Sequence, residues 1–162
     1  MKIFFCISFF FISFETYALS IKCDFEEVYK NGDTQQGFFL LKDKDLRYEY
    51  FNKSLYTVLY LNNRLFISEN MDRTKTQIIE NRNTVLPNLM KIYDEYPDIK
   101  DNYFANGYEI KVDLNNNKFI KRISINSIDL SLSIYFLNCQ KKDLQDEYFD
   151  FNPVIDYVYS SK

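Results

Sequence analysis

Residues 37–50 read GFFLLKDKDLRYEY. Two β-prone apolar runs flank a charged centre. Asp43-Lys44-Asp45 has the composition of a turn. The stretch therefore predicts a hairpin, with strands over 36–42 and 46–51. Period-2 alternation places Leu46, Tyr48 and Tyr50 on one face of the second strand. Lys42 and Arg47 stand on either side of the turn.

The same alternation runs outward in both directions. A strand is expected over 21–29, with Gly32-Asp33 turning the chain into the hairpin. Residues 54–61 (SLYTVLYL) form a further β-prone run, and Asn62-Asn63 is a tight-turn signal. Strands over 64–69 and 74–80 complete an antiparallel meander. Alternation then breaks over 81–101. There Leu86, Leu89, Met90 and Tyr93 recur at spacings of three and four, the mark of one apolar helix face. Thr84 is placed to cap that helix, Pro87 fits its first turn, and Pro97 stops it.

Strand periodicity resumes at 107–114, where Tyr108, Ile110 and Val112 share a face. Asn115-Asn116-Asn117 is a turn. Residues 118–126 and 129–138 follow, with Ile123 and Ile125 inward in the first. Leu130, Leu132, Ile134 and Phe136 share a face in the second. A last strand is expected over 147–151, before Pro153 and a polar tail at 159–162. The predicted fold class is mainly β (α+β). About nine or ten antiparallel strands make a curled sheet, an unclosed β-barrel with a short helical lid.

The first residues read MKIFFCISFFFISFETYALS. Lys2, the apolar run Ile3–Phe14 and the small residues Thr16 and Ala18 make the pattern of a secretory signal peptide over 1–18, with a cut expected after Ala18 and Ser20 as the alternative. The apolar run is shorter than the roughly 20 residues that span a bilayer. What remains is about 140 residues, a single domain over 19–158 by length.

The chain contains no His. That removes the usual general base and the commonest metal ligand, and excludes Ser-His-Asp and Cys-His catalysis. The pairs Asp94-Glu95 and Asp146-Glu147 are adjacent in sequence, so their side chains diverge. DLNNNKF (113–119) has too few carboxylates for a calcium loop. No catalytic residue, metal site or cofactor is expected. The formal net charge of −3 offers no basic field for nucleic acid. Cys23 and Cys139 would remain after cleavage in an oxidising compartment, so a disulfide between them is expected.

Three stretches together resemble the periplasmic outer-membrane lipoprotein carrier family (LolA-like). In GFFLLKDKDLRYEY the matching positions are Gly37, Leu41, Lys42, Leu46, Arg47, Tyr48 and Tyr50. LYLNNRLFISENMDRTKTQI matches at the Asn62-Asn63 turn and Gln77. DEYFDFNPVIDYV matches at Phe149, Phe151, Pro153 and Asp156. Asp43 stands where the family prefers Pro, and Tyr48 where it has Trp. A cut after Ala18 leaves no room for the family's first helix.

The resemblance implies a hydrophobic cavity under a helical lid, and a monomer that shuttles lipoproteins. Cargo would pass from an inner-membrane exporter to an outer-membrane acceptor, with the acyl chains (or other lipid) shielded on the way. No bond is made or broken in such a cycle. The cavity candidates are Leu46, Tyr48, Tyr50, Tyr108, Ile110, Val112, Leu130, Leu132, Ile134 and Phe136. The lid candidates are Leu86, Leu89, Met90 and Tyr93. Lys42 and Arg47 are the candidate partner contacts at the mouth. The alternative is an envelope interaction or sensor module on the same scaffold, binding a protein or peptide at a sheet edge or at the mouth.

Overall fold

The computed structural model describes residues 20–79, 85–96 and 98–151. The segment expected to be a signal peptide, Thr84, Pro97, Pro153 and the polar tail lie outside these, as do the side chains of Leu86 and Pro87. In chain order the elements are β1 (Ser20–Tyr29), β2 (Thr34–Lys42), β3 (Asp45–Tyr50), β4 (Tyr56–Leu61), β5 (Arg64–Glu69) and β6 (Thr76–Ile79). Then come α1 (Val85–Asp94), β7 (Asn102–Ala105), β8 (Tyr108–Leu114), β9 (Ile120–Asn126) and β10 (Ser131–Lys141).

All ten strands form one antiparallel sheet in the order β6-β5-β4-β3-β2-β1-β10-β9-β8-β7. It does not close, because β6 and β7 stand at opposite ends. The chain leaves the sheet at one end, forms α1, and re-enters at the other. The helix therefore has to cross the sheet. Its Met90 and Ile92 are buried in the same cluster as Phe25, Phe39, Ile110, Ile123 and Phe136, on the concave face.

Hairpin turns follow from residues that tolerate a positive φ. Asn62 (φ 51°) and Asn63 (φ 62°) join β4 to β5, as a type I′ turn requires. Asn106 (φ 52°) and Gly107 (φ 80°) do the same between β7 and β8. Asp43 (φ 53°) turns β2 into β3. Lys42 pairs with Asp45, so the turn is one residue tighter than expected. Gly37 faces the aromatic ring of Phe25 and the carbonyl of Glu49, both within the space a Cβ would occupy. Its missing side chain lets Phe25 lie flat across β2.

Cys23 and Cys139 form a disulfide across the central pair β1–β10. Strict alternation from Phe136 would put Cys139 on the convex face. The β1–β10 register shifts by one residue between Lys22 and Asp24, and Asn138 there takes φ 53°. This β-bulge rephases the strand and brings the sulfur back toward Cys23. The Asn138 amide donates to Asp24 Oδ2 at 2.9 Å and holds the bulge in place.

Two expected strand assignments are corrected. β7 lies inside the stretch expected to link helix to strand; Tyr103 pairs with Ile110 there. The strand expected over 147–151 is instead a single 3-10 turn, Asp146–Phe149, followed by extended chain. Its backbone does not join the sheet, because side chains on the convex face take its carbonyls. Arg47 Nη1 donates to the carbonyls of Tyr148 (3.2 Å) and Asp150 (2.9 Å). Arg73 donates to that of Phe151. Phe149 and Leu144 pack on Phe38 and Leu40 beneath this strap.

Arg47 is thereby removed from the mouth, where it was expected. It is fully buried on the convex face and ion-paired to buried Glu49, which Arg73 also binds at 2.9 Å. Lys42 lies on that face too, 2.6 Å from Asp146 of the strap. That contact raises the Lys42 pKa, through the hydrogen bond first.

Removing one member of a buried ion pair strands the other, at a cost of about 3–5 kcal/mol. Arg47→Met should fall toward the lower end of that range, since Arg73 still serves Glu49. Lys42→Ala should leave the urea midpoint unchanged. Equal midpoints for both variants would show that the buried clamp does not hold the strap. Replacing both cysteines by alanine should cost about 2–4 kcal/mol. Two alkylatable thiols in the unreduced folded protein would rule the bridge out.

Candidate functional site

The residues of the candidate site come from alternation on seven strands and from one helix. Ile21, Cys23, Phe25 and Glu27 of β1 belong to the concave phase, as do Phe39 and Leu41 of β2 and Leu46, Tyr48 and Tyr50 of β3. Between this face and α1 lies a cavity of about 220 Å³. Its walls include Phe39, Leu46, Val58, Ile123, Ile125 and Ile134, with Leu89, Met90 and Tyr93 of the helix as its roof. A second hollow of about 470 Å³ adjoins it. Tyr29, Tyr50, Tyr56 and Leu130 line both, so they form the partition between them. The outer hollow is a vestibule more polar than the inner cavity, with Lys30, Asp33, Asp129 and Ser131 in its wall.

Of the sequence candidates, Leu46, Tyr48, Tyr50, Leu130, Leu132, Ile134 and Phe136 meet at the inner cavity, together with Leu89, Met90 and Tyr93. Tyr108, Ile110 and Val112 do not reach it. They belong to the same apolar cluster further along the sheet, where Ile110 and Val112 are buried as packing.

The polar part of the cavity went unforeseen. Glu27 is only 3% exposed and lines the inner cavity. Three phenols donate to its carboxylate: Tyr48 and Tyr50 to Oε1 at 2.8 and 2.9 Å, and Tyr29 to Oε2 at 2.6 Å. No Lys or Arg among the described residues pairs with it. The signal was present in β1, where an acid occupies the phase of Ile21, Cys23 and Phe25. An acid in an apolar phase is the informative exception to burial rules.

Aromatic rings fix the phenols. Phe25 stacks on Tyr48 with centroids 3.8 Å apart, and Tyr50 meets both Phe25 and Tyr56 edge-on. Burial first, then the Glu27 carboxylate, raises the pKa of Tyr48 and Tyr50. Burial and the hydrogen bond to Glu27 raise that of Tyr29. Tyr93 is raised by burial alone. Its hydroxyl is buried with no hydrogen-bond partner among the described residues.

Among the described residues no cluster of three or more His, Cys, Asp or Glu could hold a metal ion. No described helix is long and apolar enough to cross a membrane. No protein-family model and no curated protein matches this sequence.

These phenols stay neutral in the fold, whereas unfolded tyrosine ionises near pH 10. Above about pH 10 the unfolded chain therefore binds fewer protons than the folded one, and stability falls as pH rises. An ultraviolet titration should show a set of tyrosines silent beyond about pH 10 until the protein unfolds. Complete ionisation of every tyrosine in the folded state would contradict the buried cluster.

Proposed function

We propose that this protein is a periplasmic lipid-binding carrier. It shields lipoprotein acyl chains and shuttles lipoproteins from an inner-membrane exporter to an outer-membrane acceptor. The observation that carries this reading is the apolar cavity between an unclosed sheet and a helix laid across it. The resemblance of residues 37–50 to the carrier family and the disulfide, which suits an oxidising compartment, support it.

The chemistry required is transfer, not catalysis. Each methylene moved from water to such a cavity gains about 0.8 kcal/mol. Broad apolar walls of Leu, Ile and aromatic rings grip a chain without fixing its register, so release remains accessible. The inner cavity, at about 220 Å³, is below the roughly 300–1,000 Å³ of ordinary ligand pockets. A full acyl chain therefore needs α1 to lift. Leu89, Met90 and Tyr93 then exchange their contacts with the sheet for contacts with the chain, and lipid selects the lifted state.

A second reading, an envelope interaction or sensor module, draws on the sheet's ends. β6 and β7 are short edge strands, and Ile78 and Phe104 on them are exposed. A partner peptide could add a strand there.

Mature protein added to spheroplasts loaded with newly made lipoproteins should bring them into the supernatant, and its organic extract should contain lipid. If neither occurs, the carrier reading fails. Capture of one defined envelope protein in their place would support the second reading.

A further inference from the structure

A carboxylate buried in an apolar cavity without a cation is costly unless hydrogen bonds compensate it. Glu27 has three such bonds, all from phenols, and they bring no positive charge. A carboxylate offers about four acceptor positions. Oε1 accepts two phenols and Oε2 one, so a position on Oε2 remains for a further donor. The side chain lines the inner cavity, and two of its donors, Tyr29 and Tyr50, belong to the partition with the vestibule. Tyr93 brings to the same cavity, from the helix side, a buried hydroxyl with no hydrogen-bond partner among the described residues.

We propose that Glu27 and its ring of tyrosines form a receptor for a primary ammonium group, so that the cavity selects amphiphiles with a cationic amine head. The inference rests on the lipid-binding reading and deepens it by naming the head. An ammonium placed at the open position of Oε2 donates to the carboxylate and neutralises it. In a low-dielectric site that attraction far exceeds its value in water. Tyr29, Tyr50 and Tyr56 also bring aromatic rings to the partition, and a ring attracts a cation over its face through its quadrupole. The vestibule outside reinforces the sign, since Asp33 and Asp129 outnumber Lys30 in its wall. An anionic head meets a buried like charge and an acidic rim instead.

The test uses three ligands with one tail: octylammonium, octanol and octanoate, titrated into the mature protein at pH 7 by calorimetry. Octylammonium should bind about tenfold or more tighter than octanoate, with octanol between them. Glu27→Gln keeps the side chain's shape and removes its charge, and should bring the three affinities within about twofold of one another. The comparison on the unaltered protein stands without the variant, so poor folding of Glu27→Gln leaves the first result decisive.

Equal binding of all three ligands by the native protein overturns the ammonium receptor while leaving a lipid carrier intact. Tighter binding of octanoate does the same, as does a preference that survives Glu27→Gln. No binding of any of the three overturns both readings. Ethanolamine, which has the head without the tail, should bind at least about a hundredfold more weakly than octylammonium. If it binds equally well, the ligand is not an amphiphile, and the proposal falls in that form.

Discussion

The pairing of β1 with β10 is the contact on which the architecture depends. Without it the strands divide into a six-stranded meander, β6 to β1, and a four-stranded one, β10 to β7, joined only through the helical segment. With it they become one continuous sheet with a shared concave face. Cys23 and Cys139 lock this seam across 116 residues of sequence. Contacts so distant in sequence form late and slowly in folding, so a covalent bond at this place acts where the chain's own entropy resists most. The bulge at Asn138 is what allows it, since strict alternation would aim the second sulfur at the opposite face.

The two faces of the sheet carry different kinds of polar chemistry. The convex face buries a carboxylate, Glu49, between two guanidinium groups, and covers the set with the strap. Its charges are mutually satisfied, and the result is structural. The concave face buries Glu27 among neutral phenols beside unfilled space. That contrast separates packing from recognition more sharply than burial does, because both acids are equally hidden from water.

Much of this was readable in the chain. Alternation in residues 37–50 marked the central hairpin, and the face shared by Leu46, Tyr48 and Tyr50 is the one that lines the cavity. The spacing of Leu89, Met90 and Tyr93 marked the helix side that roofs it. β7 escaped because it is only four residues long and falls in the short stretch between Pro97, where the helix was expected to stop, and the strand expected from residue 107. Asn106-Gly107, a strong hairpin signal, was the clue to it. EYFDF (147–151) alternates as a strand would, but its carbonyls go to Arg47 instead of a ladder. Long-range partners of that kind leave no local trace. Arg47 was misplaced for a related reason: charge next to a turn suggests solvent, and only the fold shows that the strap lies over it. The separation of Tyr108, Ile110 and Val112 from the cavity depends on how far the sheet extends past the helix, which periodicity does not encode.

The Arg47 clamp has one further consequence. Two of its hydrogen bonds reach carbonyl oxygens of the strap, at Tyr148 and Asp150, and main-chain oxygens are the same whatever side chain they accompany. The clamp is thus blind to residue identity along the segment it holds. Natural variation can rewrite much of the strap's surface while leaving its path unchanged. Arg47 itself enjoys no such freedom, because a lysine lacks the planar fork that reaches Glu49 and the two carbonyls at once.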